Sequence, residues 1–149
     1  MLKLNRKTLL AVEAVTDIAW NARPDPVQTK DLSERQGIPQ RYLEQAMQAL
    51  VRAGVLKGVR GPKGGYTLAR ERRRITVGDV VRVVSTLDAE EDEGGAVSAI
   101  GAAVVTPAWE ALQAELLARM DEITMEDLCG RARDAGVPRA DDAKPDFAI

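Results

Sequence analysis

The chain has 149 residues, 45% of them hydrophobic and 30% charged, with one cysteine and no histidine, which is enough apolar content for one medium domain or a small domain with an appendage. A single cysteine excludes an intramolecular disulfide framework. No apolar run reaches bilayer length and no signal-peptide pattern follows Met1–Arg6, so a cytoplasmic protein without a membrane partner is expected. The net charge of −2 hides a division: residues 1–74 hold fifteen lysines and arginines against seven acids, net +8, while residues 75–149 hold six against sixteen, net −10.

The first predicted element is a helix over Lys7–Ala22, with Leu9, Leu10, Val12, Ala14, Val15, Ile18 and Ala19 on a broad apolar face and Asp17 and Asn21 left polar. Asn5, Arg6 and Lys7 stand at its start, where free amides and two cations suit a backbone phosphate. Arg23-Pro24-Asp25-Pro26 reads as a rigid loop. Thr29 is placed as the N-cap of a helix over Lys30–Gln36 with Leu32 as its apolar contact, and Gly37 ends that helix. Ile38 then anchors a turn, and Pro39 opens a second helix to about Ala53. Leu43, Ala46, Met47, Leu50 and Val51 form its apolar face. Gln40, Arg41, Tyr42 and Glu44 near its N-terminus are the side chains that would face base edges if this pair were a helix-turn-helix seated in a major groove. A helical hairpin inside any globular domain fits the pair equally well.

The following stretch favours the first reading. Val55–Val59 and Tyr66–Leu68 are predicted as two short strands around Arg60-Gly61-Pro62-Lys63-Gly64-Gly65, a glycine-rich tip with two cations and no acid. Such a tip suits a phosphate backbone or a narrow minor groove. A nucleotide-phosphate loop would need the order G-x-x-x-x-G-K-[ST] and a helix directly after it, and neither is present. A merely solvated hairpin has little need for Arg60 and Lys63 beside Arg70, Arg72, Arg73 and Arg74. Lys7, Thr29 and Ser33 complete the expected backbone contacts, with Arg60, Gly61, Lys63, Gly64 and Gly65 in the wing.

Thr76-Val77-Gly78-Asp79 has the form of a capping box and starts a short helix through Val80, Val81, Val83 and Val84. Residues 87–106 are expected to be a linker, its carboxylates Asp88, Glu90, Glu91, Asp92 and Glu93 solvated rather than metal-binding. Pro107 is predicted to open a long helix to Ile123 whose Trp109, Leu112, Leu116, Met120 and Ile123 form a narrow apolar seam. That seam fits packing within the monomer and pairing with a second copy, and pairing is favoured because the helix extends beyond an already complete domain. Thr124-Met125-Glu126-Asp127 starts a last short helix to about Ala135, and residues 136–149 are expected to be disordered. The resulting plan is mostly α with a small two-stranded wing. A winged helix-turn-helix occupies residues 1–86, the linker 87–106, a dimerisation helix and short C-terminal helix 107–135, and the tail the rest.

Three runs together carry a family resemblance: Asp31-Leu32-Ser33-Glu34-Arg35-Gln36-Gly37-Ile38, Tyr42-Leu43-Glu44-Gln45, and Val59-Arg60-Gly61-Pro62-Lys63-Gly64-Gly65-Tyr66. At this separation they resemble the Rrf2 family of bacterial transcription regulators, and the likeness extends more weakly from Leu4 to about Leu128. It implies a dimeric winged-helix repressor or activator in which Arg41, Tyr42 and Glu44 take base-contacting positions and Arg60 enters the minor groove. Lys7-Thr8-Leu9-Leu10 departs from the Lys-Gly-Arg-Tyr run common in the family, so a phosphate contact by the arginine of that run does not transfer. Iron-sulfur members hold a cluster with three cysteines in the stretch that corresponds to Leu87–Val105, which has none here. No cofactor and no metal are therefore expected. Cys129 reads as a small packed residue, with a redox switch or a disulfide across a dimer as the minor alternative.

The leading expectation is a homodimeric repressor that binds a palindromic operator in double-stranded DNA. A regulator working through a protein partner is the alternative. An enzyme is not expected, for lack of histidine, paired catalytic carboxylates or a complete nucleotide motif.

Overall fold

A computed structural model describes residues 2, 4–22, 25–87 and 98–142 of the chain. Asn5 caps the first helix, α1 (Arg6–Asn21), its side-chain oxygen accepting from the Thr8 amide at 3.0 Å. The pair α2 (Thr29–Gln36) and α3 (Gln40–Arg52) follows, then strands β1 (Leu56–Val59) and β2 (Gly65–Leu68), which pair antiparallel with Leu56 opposite Leu68 and Val59 opposite Gly65. A 3-10 turn at Arg72–Arg74 leads to α4 (Val77–Ser85), and α5 (Thr106–Met120) and α6 (Met125–Asp134) complete the order. The expected fold class, mostly helical with a two-stranded wing, is the one observed.

One apolar core joins α1, α2, α3, α4 and α6, built around fully buried Val15, Ile18, Leu32, Ile38, Leu43, Met47, Leu50, Val80 and Met125. Met125 and Cys129 of α6 belong to this core, so the last helix is part of the winged domain and not of an appendage with α5. The capping boxes at Thr76 and Thr124 are both complete, each threonine accepting from the amide three residues on while that aspartate accepts from the threonine amide. The two caps lie side by side in an antiparallel bridge, with Val77 N–H donating to the Ile123 carbonyl and Met125 N–H to the Ile75 carbonyl, both at 2.8 Å. Ile123 therefore closes this junction through its backbone and is not a position on the long helix, which ends at Met120.

Three further expectations change. Pro107 does not open the long helix: the backbone is helical from Ala99, and a π-helical turn at Gly101–Val105 runs into α5, with the Thr106 N–H donating to the Gly101 carbonyl. A wider turn just before the proline eases the crowding its ring imposes on the carbonyl four residues back. Thr29 is the first residue of α2 and not its cap. Gln28 holds the cap position without a side-chain bond. The part of the tail at 136–142 is ordered by contacts with α1: Trp20 Nε1 donates to the Pro138 carbonyl at 3.4 Å, the Ala140 amide to Asn21 Oδ1 at 2.8 Å, and Arg139 lies 4.5 Å over the Trp20 ring. The acidic run from Asp88 to Glu93, Arg23-Pro24 of the first loop, and residues 143–149 lie outside the described residues. No helix among the described residues is long and apolar enough to cross a membrane.

Candidate nucleic-acid interface

The turn of the helix pair is fastened from both sides. Gly37 takes the left-handed conformation at φ 63°, and its amide donates to the Ser33 carbonyl at 2.9 Å. The Ser33 hydroxyl donates to the Ile38 carbonyl at 2.7 Å, so a residue expected on the DNA backbone is engaged in shaping the turn. With Ile38 and Leu43 buried, the turn is held against the core, and the exposed side chains at the start of α3 are Gln40, Arg41 and Glu44. Gln40 Nε2 donates to Glu44 Oε1 at 3.4 Å, a link between two of the expected base-reading residues. Tyr42 stands apart from them: it is half-buried, and its hydroxyl donates to the Lys7 carbonyl, tying the start of α3 to the start of α1.

A second anchor, which the sequence pattern does not reveal, fixes α2. Asp17 of α1 is 6% exposed, and its carboxylate accepts from Arg35 Nε at 3.0 Å, Arg35 Nη2 at 2.6 Å, Gln36 Nε2 at 2.6 Å and Asn21 Nδ2 at 3.1 Å. These four bonds satisfy a carboxylate that would otherwise be costly to bury. The hydrogen bonds to Asp17 push the Arg35 guanidinium above its ordinary value, against the opposing effect of desolvation.

The wing is shaped by close backbone approach. A β-carbon at Gly64 would meet the Val59 carbonyl oxygen at 2.3 Å, and one at Gly65 would meet the Val27 carbonyl oxygen at 2.4 Å. The second approach exists because Val27 bridges Tyr66 through two bonds of 2.9 and 2.8 Å, docking the loop before α2 on the second wing strand. Gln28 Nε2 adds a 3.3 Å bond to the Pro62 carbonyl. The wing glycines expected at DNA thus serve first to let the hairpin close. Between the start of α2 and the wing tip lies an open cleft of about 460 Å³ lined by Thr29, Lys30, Arg60 and Gly61.

The charges divide into two groups. Arg70, Arg72 and Arg73 face carboxylates, Arg72 Nε lying 3.1 Å from Glu126, Arg73 Nε 2.6 Å from Glu71, and Arg70 Nη2 3.8 Å from Asp79. Lys30, Arg41, Arg60 and Lys63 are exposed and form no ion pair within 4 Å among the described residues. Three of the arginines after the wing therefore have a carboxylate beside them, while the unneutralised cations sit at the starts of α2 and α3 and on the wing.

The expected dimerisation residues are also placed. No residue of α5 is fully buried, and Trp109 and Leu112 are 55% and 58% exposed, with Leu116 exposed beside them. Ile100, Val104 and Val105 extend the exposed apolar surface into the π-helical turn. Met120 is half-buried and lines a groove with Leu4, Leu9, Val77 and Val81.

This arrangement, a helix pair with a locked turn followed by a cationic two-stranded wing, defines a winged helix-turn-helix protein of the DNA-binding class. The chain belongs to the Rrf2 family, described as iron-dependent transcriptional regulators, whose profile matches residues 4–131. It is 38% identical over 129 residues to the HTH-type transcriptional regulator IscR of Vibrio atlanticus, covering 85% of this chain and 75% of that protein. It is 37% identical over 129 residues to IscR of Klebsiella pneumoniae, covering 85% and 79%. Among solved structures it resembles IscR of T. potens, with a TM-score of 0.71 and 36% identity over 93% of both chains. CymR, the global cysteine regulator of B. subtilis, follows with a TM-score of 0.67 and 27% identity over 88% of this chain and 98% of that one. The protein is a DNA-binding transcriptional regulator and not an enzyme.

The iron in the family description can be set against this chain's donors. A cluster held by one subunit's thiolates needs several cysteines. The chain has Cys129 alone and no histidine, and Cys129 is buried in the core on α6. These residues do not fit such a cluster.

Proposed function

We propose that this protein is a homodimeric, sequence-specific repressor that reads a two-fold operator without a subunit-held iron-sulfur cluster. The selective placement of unpaired charge carries the reading: Arg41, Lys30, Arg60 and Lys63 are free for phosphates and base edges, whereas Arg70, Arg72 and Arg73 beside them are neutralised from within. Gln40, Arg41 and Glu44 would read bases in the major groove, Arg60 would enter the minor groove, and Lys63, Lys7 and the uncapped amides of α2 would hold phosphates. Tyr42 would hold α3 in place through Lys7 and contact DNA with its ring edge at most. Trp109, Leu112 and Leu116 would pair two copies, setting the reading helices one duplex turn apart, ~34–36 Å.

Selection from random duplex, with sedimentation run on the same preparation, tests the reading. A two-fold consensus bound by a dimer supports it. A monomer without preference among duplexes removes it, and a brown preparation with visible absorbance removes the cluster-free part.

A further inference from the structure

An open groove lies away from the DNA face. It measures about 620 Å³ and is bounded by α1, the last turn of α2, α6 and the ordered segment after α6. Val12, Trp20, Leu128 and Val137 give it a mostly apolar surface, and its size falls within the usual range for small-ligand pockets of about 300–1,000 Å³. The segment carrying Val137 and Pro138 is held over Trp20 by the Trp20 Nε1 bond to the Pro138 carbonyl and the Ala140 bond to Asn21, so this wall has its own anchors.

Four ionisable groups line the cavity: Glu13, Asp17, Arg35 and Arg131. Asp17 is already saturated by four bonds and is neutralised by Arg35. Arg35 commits Nε and Nη2 to that pair, leaving its Nη1 donors uncommitted. Arg131 is exposed and forms no ion pair within 4 Å among the described residues, while Asp127 feels its charge at longer range. Glu13 forms no ion pair within 4 Å among the described residues, so the four lining charges sum to zero, and the charged donors left to an anion are the Arg131 guanidinium and Nη1 of Arg35. A largely apolar groove with two guanidinium groups having donors to spare suits a molecule with a flat hydrophobic body and a single carboxylate.

We infer that this cavity is an effector site for a small aromatic carboxylate, bound with its ring against Trp20 and its carboxylate between Arg131 and Arg35. The effector role rests on the DNA-binding reading; the binding site does not. Arg35 and Gln36 are the last residues of α2 before the Gly37 turn, so a ligand held there bridges α6 to the helix pair that presents α3. Occupancy and operator affinity are then linked, each changing the other by the same factor.

Ligand binding is read in the full chain carrying Trp109→Phe, so that Trp20 is its one tryptophan, and duplex affinity in the full chain with Trp109 retained, with phenylacetate, benzyl alcohol and benzylamine as probes. Saturable quenching by phenylacetate at a Kd near or below ~1 mM, with benzyl alcohol at least about tenfold weaker, is expected. Arg131→Ala should weaken phenylacetate about tenfold, and Arg131→Glu should reverse the preference toward benzylamine. Phenylacetate should also shift the affinity for a selected duplex about threefold or more, with no shift in Arg131→Ala. Absent quenching, or quenching that ignores charge or survives both Arg131 variants, overturns the site. Quenching with unchanged duplex affinity overturns the effector role, while loss of duplex binding without any ligand counts against the DNA reading alone.

Discussion

Gly78 of α4 lies so close to Asp121, at the end of α5, that a β-carbon on it would meet Asp121 Oδ1 at 1.9 Å and the Asp121 amide nitrogen at 3.2 Å. Asp121 stands there because Arg82 grips it, Nη1 donating to Oδ1 at 2.7 Å. An alanine in a helix is ordinarily better than glycine by about 1 kcal/mol. Here the sign should reverse, with Gly78→Ala costing about 1–3 kcal/mol through overpacking and loss of the Arg82 contact. A urea double-mutant cycle with Asp121→Ala checks this, and a coupling near zero would show that the two positions do not meet.

The same pair predicts an acid response. The Arg82 hydrogen bond holds the Asp121 carboxyl below its ordinary value of 3.8, against a smaller effect of desolvation, and raises Arg82 in turn. A lowered folded value means that Asp121 contributes stability above about 3.8, which is lost as pH falls through its depressed folded value. Carboxyl titration by NMR should find Asp121 below 3.8 in the native chain and back near it in Arg82→Ala. An unchanged midpoint in that variant would leave Arg82 without influence.

Arg35→Ala should leave Asp17 buried with Asn21 and Gln36 as its remaining partners. The Arg35 side chain is 30% exposed, so the loss should be about 2–3 kcal/mol, below the value for a fully buried pair. Chemical denaturation of Arg35→Ala, Asp17→Ala and the double variant reads it, and the double should cost less than the two singles added. Strict additivity would deny the pairing.

On DNA, Arg41→Ala should lose ~1–3 kcal/mol mostly at one base pair, whereas Lys63→Ala should weaken all duplexes alike and reduce the salt slope by about one. Anisotropy titrations on specific and random duplex separate the two, and equal losses from both substitutions on both duplexes would contradict the division. Gly64→Ala should act at one remove, since its β-carbon would strike the Val59 carbonyl and spoil the hairpin that carries Arg60.

Short-range chemistry made much of this molecule legible in its sequence. Gly37 after a helix, threonine three residues before aspartate, and a glycine cluster between two strands act within a few residues, so their signals survive in one dimension. What escaped depends on partners far along the chain. Asp17 looks like a surface residue of a periodic helix until Arg35 arrives from 18 positions away. Arg70 and Arg72 look like part of a nucleic-acid patch until Asp79 and Glu126 fold against them. Ser33 and Tyr42 carry hydroxyls whose targets are main-chain carbonyls, which leave no mark in side-chain patterning.

The bridge between Thr76 and Thr124 has a mechanical meaning. The chain leaves the winged domain beyond the end of α4, and after α5 it is stitched back at the start of α4, so α5 is clamped at its far end and cannot swing like a tether. Two such arms clasped together would behave as a caliper of set opening: the gap between operator half-sites would be a property of the rigid frame, and a duplex with an added base pair between its halves would have to twist to fit.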